Sequence, residues 1–144
     1  MANAGIFSAL EVAGSGLSAE RGRMNIIASN LANARTTRTE QGGPYRRLDP
    51  VFEARSVDPG SFDPVMRQVR TVEMSRVEED PNPGQLVYDP SHPDANEAGY
   101  VELPNVNVVT EMVNLMTASR AYEAGVTSIE SIKSMANAAM RIGQ

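Results

Sequence analysis

The sequence predicts a mainly α-helical chain with a small β insert: long N- and C-terminal helices paired antiparallel, coiled-coil-like, around a loop-rich β middle. Three observations predict it. Apolar residues recur at alternating spacings of three and four over both ends of the chain and nowhere between them. Turn signals, among them Gly42-Gly43-Pro44 and Pro81-Asn82-Pro83-Gly84, punctuate the middle. Aromatic residues make up 5% of the chain, with no Trp and eight Met, so small and adaptable apolar side chains replace a large compact core. A length of 144 residues suits one ordinary domain, divided here into an axial core from 1–35 and 105–144 and an insert from 36–104.

The first helix is expected over Ile6 to Ala34. Ile6, Leu10, Ala13, Leu17, Met24, Ile27, Leu31 and Ala34 follow the repeat, with Glu20 its only miss. Gly14-Ser15-Gly16 lies inside it, and each Gly loses roughly 1 kcal/mol against Ala, which leaves room for a kink or a break into two helices there. Asn30, Asn33 and the β-branched Thr36-Thr37 end the segment. Asn25, Ser29 and Asn33 recur on one face with Asn30 beside them. Amides at a helix interface can fix register between neighbouring helices.

The middle reads as short extended pieces between turns. Tyr45 to Ala54 alternates weakly, with Val51-Phe52 turned inward, and Val69 to Val77 is the next strand, with Val72 and Met74 on one face. Asp58-Pro59-Gly60 and Asp63-Pro64 mark the turn between them. Leu86 to Tyr88 and Tyr100 to Leu103 are shorter pieces around a Pro-rich loop, closed by Pro104.

The last helix is expected over Asn107 to Arg141. Val108, Met112, Leu115, Tyr122, Val126, Ile129, Ala136 and Met140 hold the repeat, interrupted by Ser119 and Lys133. Val113, Met116, Ala118, Ile132 and Ala139 widen the stripe beyond what one partner helix covers. A face left wet by its own chain usually marks a partner, unless the insert covers it. The expected subunit-packing positions are therefore Leu10, Leu17, Met24, Ile27 and Leu31 on the first helix. On the second they are Val108, Met112, Leu115, Met116, Tyr122, Val126, Ile129, Ile132 and Met140.

Catalytic chemistry has little to work with. His92, the single histidine, sits between Asp89 and Asp94, a grouping that could bind a divalent metal for hydrolysis. The same residues in a Pro-punctuated loop also make ordinary solvated turns, and no second cluster supplies a nucleophile, a base and an orienting group together. Arg35, Arg38, Arg46 and Arg47 cluster with Tyr45 around the Gly-Gly-Pro turn, which suits a phosphate or RNA adaptor in principle. Charge weighs against it. Residues 1–47 carry six Arg against three Glu, net +3; residues 48–104 carry four Arg against twelve acids, net −8; the remainder balances, for −5 in total. That asymmetry favours the basic end of one copy meeting the acidic middle of another, with those Arg in inter-subunit electrostatics and no nucleic acid partner. No cofactor is expected.

No Cys is present, so neither disulfides nor thiolate sites arise. No basic residue precedes Arg21, and Glu11 cuts the first apolar run, so no secretory signal is expected; no run nears the roughly 20 residues of a membrane span. Composition alone therefore points to a soluble cytoplasmic chain, unless export proceeds without a cleaved signal.

The segment Ser-Gly-Leu-Ser-Ala-Glu-Arg-Gly-Arg-Met-Asn-Ile-Ile-Ala-Ser-Asn-Leu-Ala-Asn-Ala (15–34) resembles the N-terminal signature of the flagellar rod and hook axial protein family. Gly-Gly-Pro-Tyr-Arg-Arg (42–47), Val-Tyr-Asp-Pro-Ser-His-Pro-Asp-Ala (87–95) and Gly-Tyr-Val-Glu-Leu-Pro-Asn-Val-Asn-Val-Val-Thr-Glu-Met-Val-Asn (99–114) narrow the resemblance to its proximal-rod members. Ala-Ser-Arg-Ala-Tyr-Glu-Ala (118–124) and Lys-Ser-Met (133–135) extend it, while Glu53 to Pro83 keeps only the strand-turn rhythm. The resemblance implies a non-enzymatic subunit of the basal-body rod, a helical tube carrying motor torque through the periplasm. It also implies self-association, contact with other rod proteins, and delivery without a cleaved signal through the flagellar type III export apparatus. These implications replace the cytoplasmic expectation.

Overall fold

A computed structural model describes residues 2–57 and 68–142. The chain runs α1 (Ala2–Ala32), β1 (Leu48–Ser56), β2 (Arg70–Glu79), β3 (Leu86–Tyr88), β4 (Tyr100–Glu102) and α2 (Val108–Ile142). It is mainly helical with a small β part, and α1 packs against α2. The turn expected at Asp58 to Pro64 lies outside the described residues.

α1 is one uninterrupted helix, so no break occurs at Gly14-Ser15-Gly16. Tertiary support offsets the weak local propensity. Ser15 Oγ donates back to the Val12 carbonyl at 2.8 Å and accepts the Val72 N–H at 3.2 Å, which docks β2 on the site of weakness. About two turns later, Gly22 leaves room for Met74, whose methyl carbon lies 3.4 Å from where a Cβ would stand. At the other end, the Asn33 N–H reaches the Ser29 carbonyl at 3.0 Å and the Thr36 N–H reaches that of Asn33, closing the helix at the Asn-rich stop.

β1 and β2 form an antiparallel pair from Leu48 opposite Glu79 to Ser56 opposite Arg70, with a register shift between Val51 and Phe52. Phe52 stands opposite Met74, whose side chain meets α1 at Gly22, whereas Val51 stands opposite Arg76 on the other face, so the two do not turn inward together. Glu53 stands opposite Glu73. Arg55 pairs with Glu73 at 3.2 Å and Arg76 with Glu53 at 3.6 Å, so flanking cations relieve the like-charge repulsion on this outer face.

β3 and β4 form a second, separate antiparallel pair. Tyr88 and Tyr100 meet edge to face with ring centroids 5.2 Å apart. Gly99, at φ +79°, lies under the Tyr88 ring, and a Cβ there would come within 2.9 Å of it. Gly84 is held still more tightly: a Cβ would stand 1.8 Å from the Leu103 carbonyl oxygen. α2 then starts from Asn107, whose side-chain oxygen caps the Thr110 N–H at 3.1 Å.

What these elements enclose is small. Among the described residues the buried apolar side chains are Ala19, Ile27, Val101 and Ala118, and the largest fully buried ones are polar, Asn30 and Glu111. The chain exposes 10084 Å², whereas a compact monomer of 15.5 kDa exposes roughly 7,200 Å². Much of the surface a self-sufficient domain would bury is left open.

Candidate assembly surface

The most constrained part of the molecule is a polar joint where α1, β1 and α2 meet. Asn30, 1% exposed, uses its whole amide. Nδ2 donates to the Leu48 carbonyl at 2.9 Å and to Glu111 Oε2 at 3.1 Å; Oδ1 accepts from the Leu48 N–H at 2.9 Å and from the Tyr45 hydroxyl at 3.0 Å. Glu111, 0% exposed, takes its second contact from Arg47 Nε at 2.8 Å, and Arg47 also holds Asp49. Burial pulls the Arg47 pKa down, but the hydrogen bonds and charges of Glu111 and Asp49 outweigh it and raise the pKa above its ordinary value. Asn105 closes the joint from the other side, accepting the Arg47 N–H at 2.7 Å and donating to the carbonyls of Asp80 and Asn82.

Of the four amide and hydroxyl positions marked at Asn25, Ser29, Asn30 and Asn33, the structure thus buries Asn30. Ser29 Oγ lies 3.4 Å from the Tyr45 hydroxyl, Asn33 Nδ2 donates to the Ser29 carbonyl at 3.0 Å, and Asn25 is exposed. Sequence reasoning missed Glu111, because an acid in the first turn of a helix already has a local explanation in the helix dipole. It also missed Asn105. The adjacent Pro104-Asn105 at a helix entrance reads as turn chemistry, and nothing local points to the strands it ties together.

Beside the joint, the helices present apolar surface with nothing over it. Val109 is 71% exposed, Met112 54%, Val113 56% and Met116 59%, and the β insert covers none of them. Val108, Val126 and Met140 are exposed too; Leu10, Leu17, Met24, Leu31, Leu115, Tyr122, Ile129 and Ile132 are half-buried, and Ile27 is buried. An apolar groove of about 750 Å³ runs between α1, α2 and β2, lined by Ala9, Val12, Gly16, Leu17, Val72 and Gly125 among others. Glu20, the one miss in the α1 repeat, lines it with a buried Oε2 that has no hydrogen-bond donor among the described residues.

The basic cluster divides. Arg46 bonds Glu102 at 3.1 Å and the Asn82 carbonyl at 2.9 Å, and Arg47 is held in the joint, so both are engaged inside the chain. Arg38 stands 3.7 Å from Asp94 while remaining largely exposed, and Arg35 makes no ion pair among the described residues. Around His92 the geometry is that of turns. His92 Nδ1 accepts the Asp94 N–H at 3.1 Å, Asp89 Oδ1 accepts the Ser91 N–H at 3.1 Å, and Asp94 Oδ2 accepts the Thr37 hydroxyl at 2.7 Å. Among the described residues no three His, Cys, Asp or Glu side chains converge to hold a metal, and no helix is long and apolar enough to cross a membrane.

Two long helices with uncovered apolar faces, joined through a buried polar contact to a thin β insert, define a structural building block rather than a catalyst. Comparison with known proteins specifies which. Residues 10–38 match the family described as flagella basal body rod protein, and residues 97–142 match the C-terminal family of flagellar basal body rod FlgEFG proteins. The flagellar basal-body rod protein FlgC of Borreliella burgdorferi is 46% identical over 97% of this chain and 99% of its own. FlgC of Escherichia coli O157:H7 is 40% identical and that of Bacillus subtilis 39%, each covering 96% of this chain and 98% of the relative. The chain belongs to the FlgC family of flagellar basal-body rod proteins, and it is a structural rod subunit, not an enzyme.

Proposed function

We propose that the chain polymerises with further copies and with other rod proteins into the proximal part of the rod, a helical tube that carries torque and surrounds the export channel. In this reading residues 1–35 and 105–144 pair antiparallel, coiled-coil-like, as the axial core, and residues 36–104 form a small domain on its outside. The hydrogen bond from Asn30 to Glu111 and the packing of Leu17 on Gly125 support that direction, since numbers rise along α1 as they fall along α2. Delivery through the type III export apparatus, without a cleaved signal and into the periplasmic space, belongs to the same proposal.

The observation that carries it is the mismatch between a core of Ala19, Ile27, Val101 and Ala118 and a Val-Met face on α2 that is more than half exposed. Apolar area left in water by the monomer is free energy available to assembly. Amide hydrogen exchange tests it. Residues 6–34 and 108–140 exchange faster in the purified monomer than in isolated basal bodies; protection already complete in the monomer overturns the proposal. Met112→Asp gives a second check. Because Met112 is already exposed, the substitution changes monomer stability by less than about 0.5 kcal/mol yet abolishes incorporation into the rod.

A further inference from the structure

The faces of α1 and α2 turned away from the chain's own packing are both organised and both unpartnered. On α1 the exposed line is Ser18, Arg21, Asn25, Ala28 and Ala32, at spacings of three and four; on α2 it is Val113, Met116, Arg120, Glu123 and Thr127, at the same spacings. One line is built of small side chains around an Arg, the other of large ones followed by an acid. Arg21, Arg120 and Glu123 make no ion pair among the described residues, whereas the arginines of the β1–β2 outer face are paired.

We infer that the outer face of α1 receives the outer face of α2 from a second copy of this chain, antiparallel, with Ala28 opposite Met116 and Arg21 opposite Glu123. The inference rests on the rod-subunit reading and adds the surfaces and their register. Copies related by rotation and translation along one axis keep the same polarity, so a neighbour's α2 runs against this chain's α1 if its own does. In that direction one offset satisfies every layer. Ala32 meets Val113, Ala28 meets Met116, Asn25 meets Arg120, Arg21 meets Glu123 and Ser18 meets Thr127. Large apolar side chains fall over alanines, which lets the helices approach closely, and the charged layer pairs opposite signs. Asn25, which has no place in the polar joint, becomes an amide beside a guanidinium at the next layer and helps fix the register. The two faces are unlike, so the contact is heterologous and leaves a free face at each end for the next copy.

The absence of Cys makes the test direct. Two full-length variants, Ala28→Cys and Met116→Cys, are expressed together in flagellated cells, and isolated basal bodies are oxidised. A disulfide between the two positions is then expected, because the opposed Cα atoms lie within about 7 Å. Since each variant carries one thiol, the bond can join only two copies. Ala28→Cys with Glu130→Cys, displaced along the helix, gives none. In basal bodies that contain the chain, no 28–116 bond, or a 28–130 bond instead, overturns the register. A chain absent from basal bodies altogether overturns the rod-subunit reading beneath it. Charge reversal gives an independent readout. Arg21→Glu lowers the incorporated amount about tenfold, and adding Glu123→Arg to the same chain restores it to within about twofold, because each contact then again holds opposite charges. Failure of the double variant to recover overturns the pairing.

Discussion

At the scale of single residues, the joint around Asn30 and Glu111 is the place where one atom matters. Glu111 is fully buried and accepts from both Arg47 and Asn30, so removing its carboxylate strands a guanidinium and an amide hydrogen together. Glu111→Ala should lower monomer stability by about 3 kcal/mol in urea titration, the scale measured when one member of a buried pair is deleted. Replacing both charges, Glu111→Leu with Arg47→Met, should recover most of that loss. Arg38→Ala should cost less than about 1 kcal/mol, since its contact with Asp94 spans 3.7 Å and its side chain lies largely in solvent. Asn30 stood out in the sequence as one of four polar positions read for register between helices. That its partners would be β1 and the first turn of α2, rather than another helix, was not legible, because they stand 18 and 81 positions away in the chain.

At the scale of elements, both long helices and all four strands follow from local pattern. The three-four repeat marks the helices, and Gly and Pro mark the ends of the strands. The absence of a break at Gly14-Ser15-Gly16 has a clear cause: propensity counts the backbone entropy of two glycines but not the strand that docks on Ser15. The register shift between Val51 and Phe52 had no local signal either, since it answers to the pairing with β2 and to α1 beneath. Gly84 offers a test of an element boundary. With a Cβ placed 1.8 Å from the Leu103 oxygen, Gly84→Ala must move the backbone entering β3, and the Leu103 N–H, bonded to the Gln85 carbonyl at 2.8 Å, should lose its hydrogen-exchange protection. Gly14→Ala meets nothing within 4 Å and should stabilise α1 by up to about 1 kcal/mol.

At the scale of the whole molecule, the chain is an unfinished structure by itself. Its apolar residues are sufficient for a core, but they are spread over several faces of two long rods instead of one side of each. That was visible in the excess width of the α2 stripe. The sequence could not show whether the insert would close over it, since closing depends on where β1 and β2 lie, and they lie against α1. The exposed faces therefore await neighbours, and a monomer kept dilute should show cooperative unfolding of low amplitude with a small dependence on denaturant, because little surface remains to be uncovered.

The joint has one mechanical consequence. Apolar contacts slide: they keep most of their energy when two surfaces shift by an ångström. Hydrogen bonds do not, for their energy falls steeply with distance and angle. A connection made of Asn30, Glu111, Arg47 and Asn105 therefore holds the insert at a fixed angle to the helices under load and, once strained past its short range, gives way all at once. Under a pulling force applied between insert and helix it should behave as a stiff, brittle weld and not as a yielding hinge.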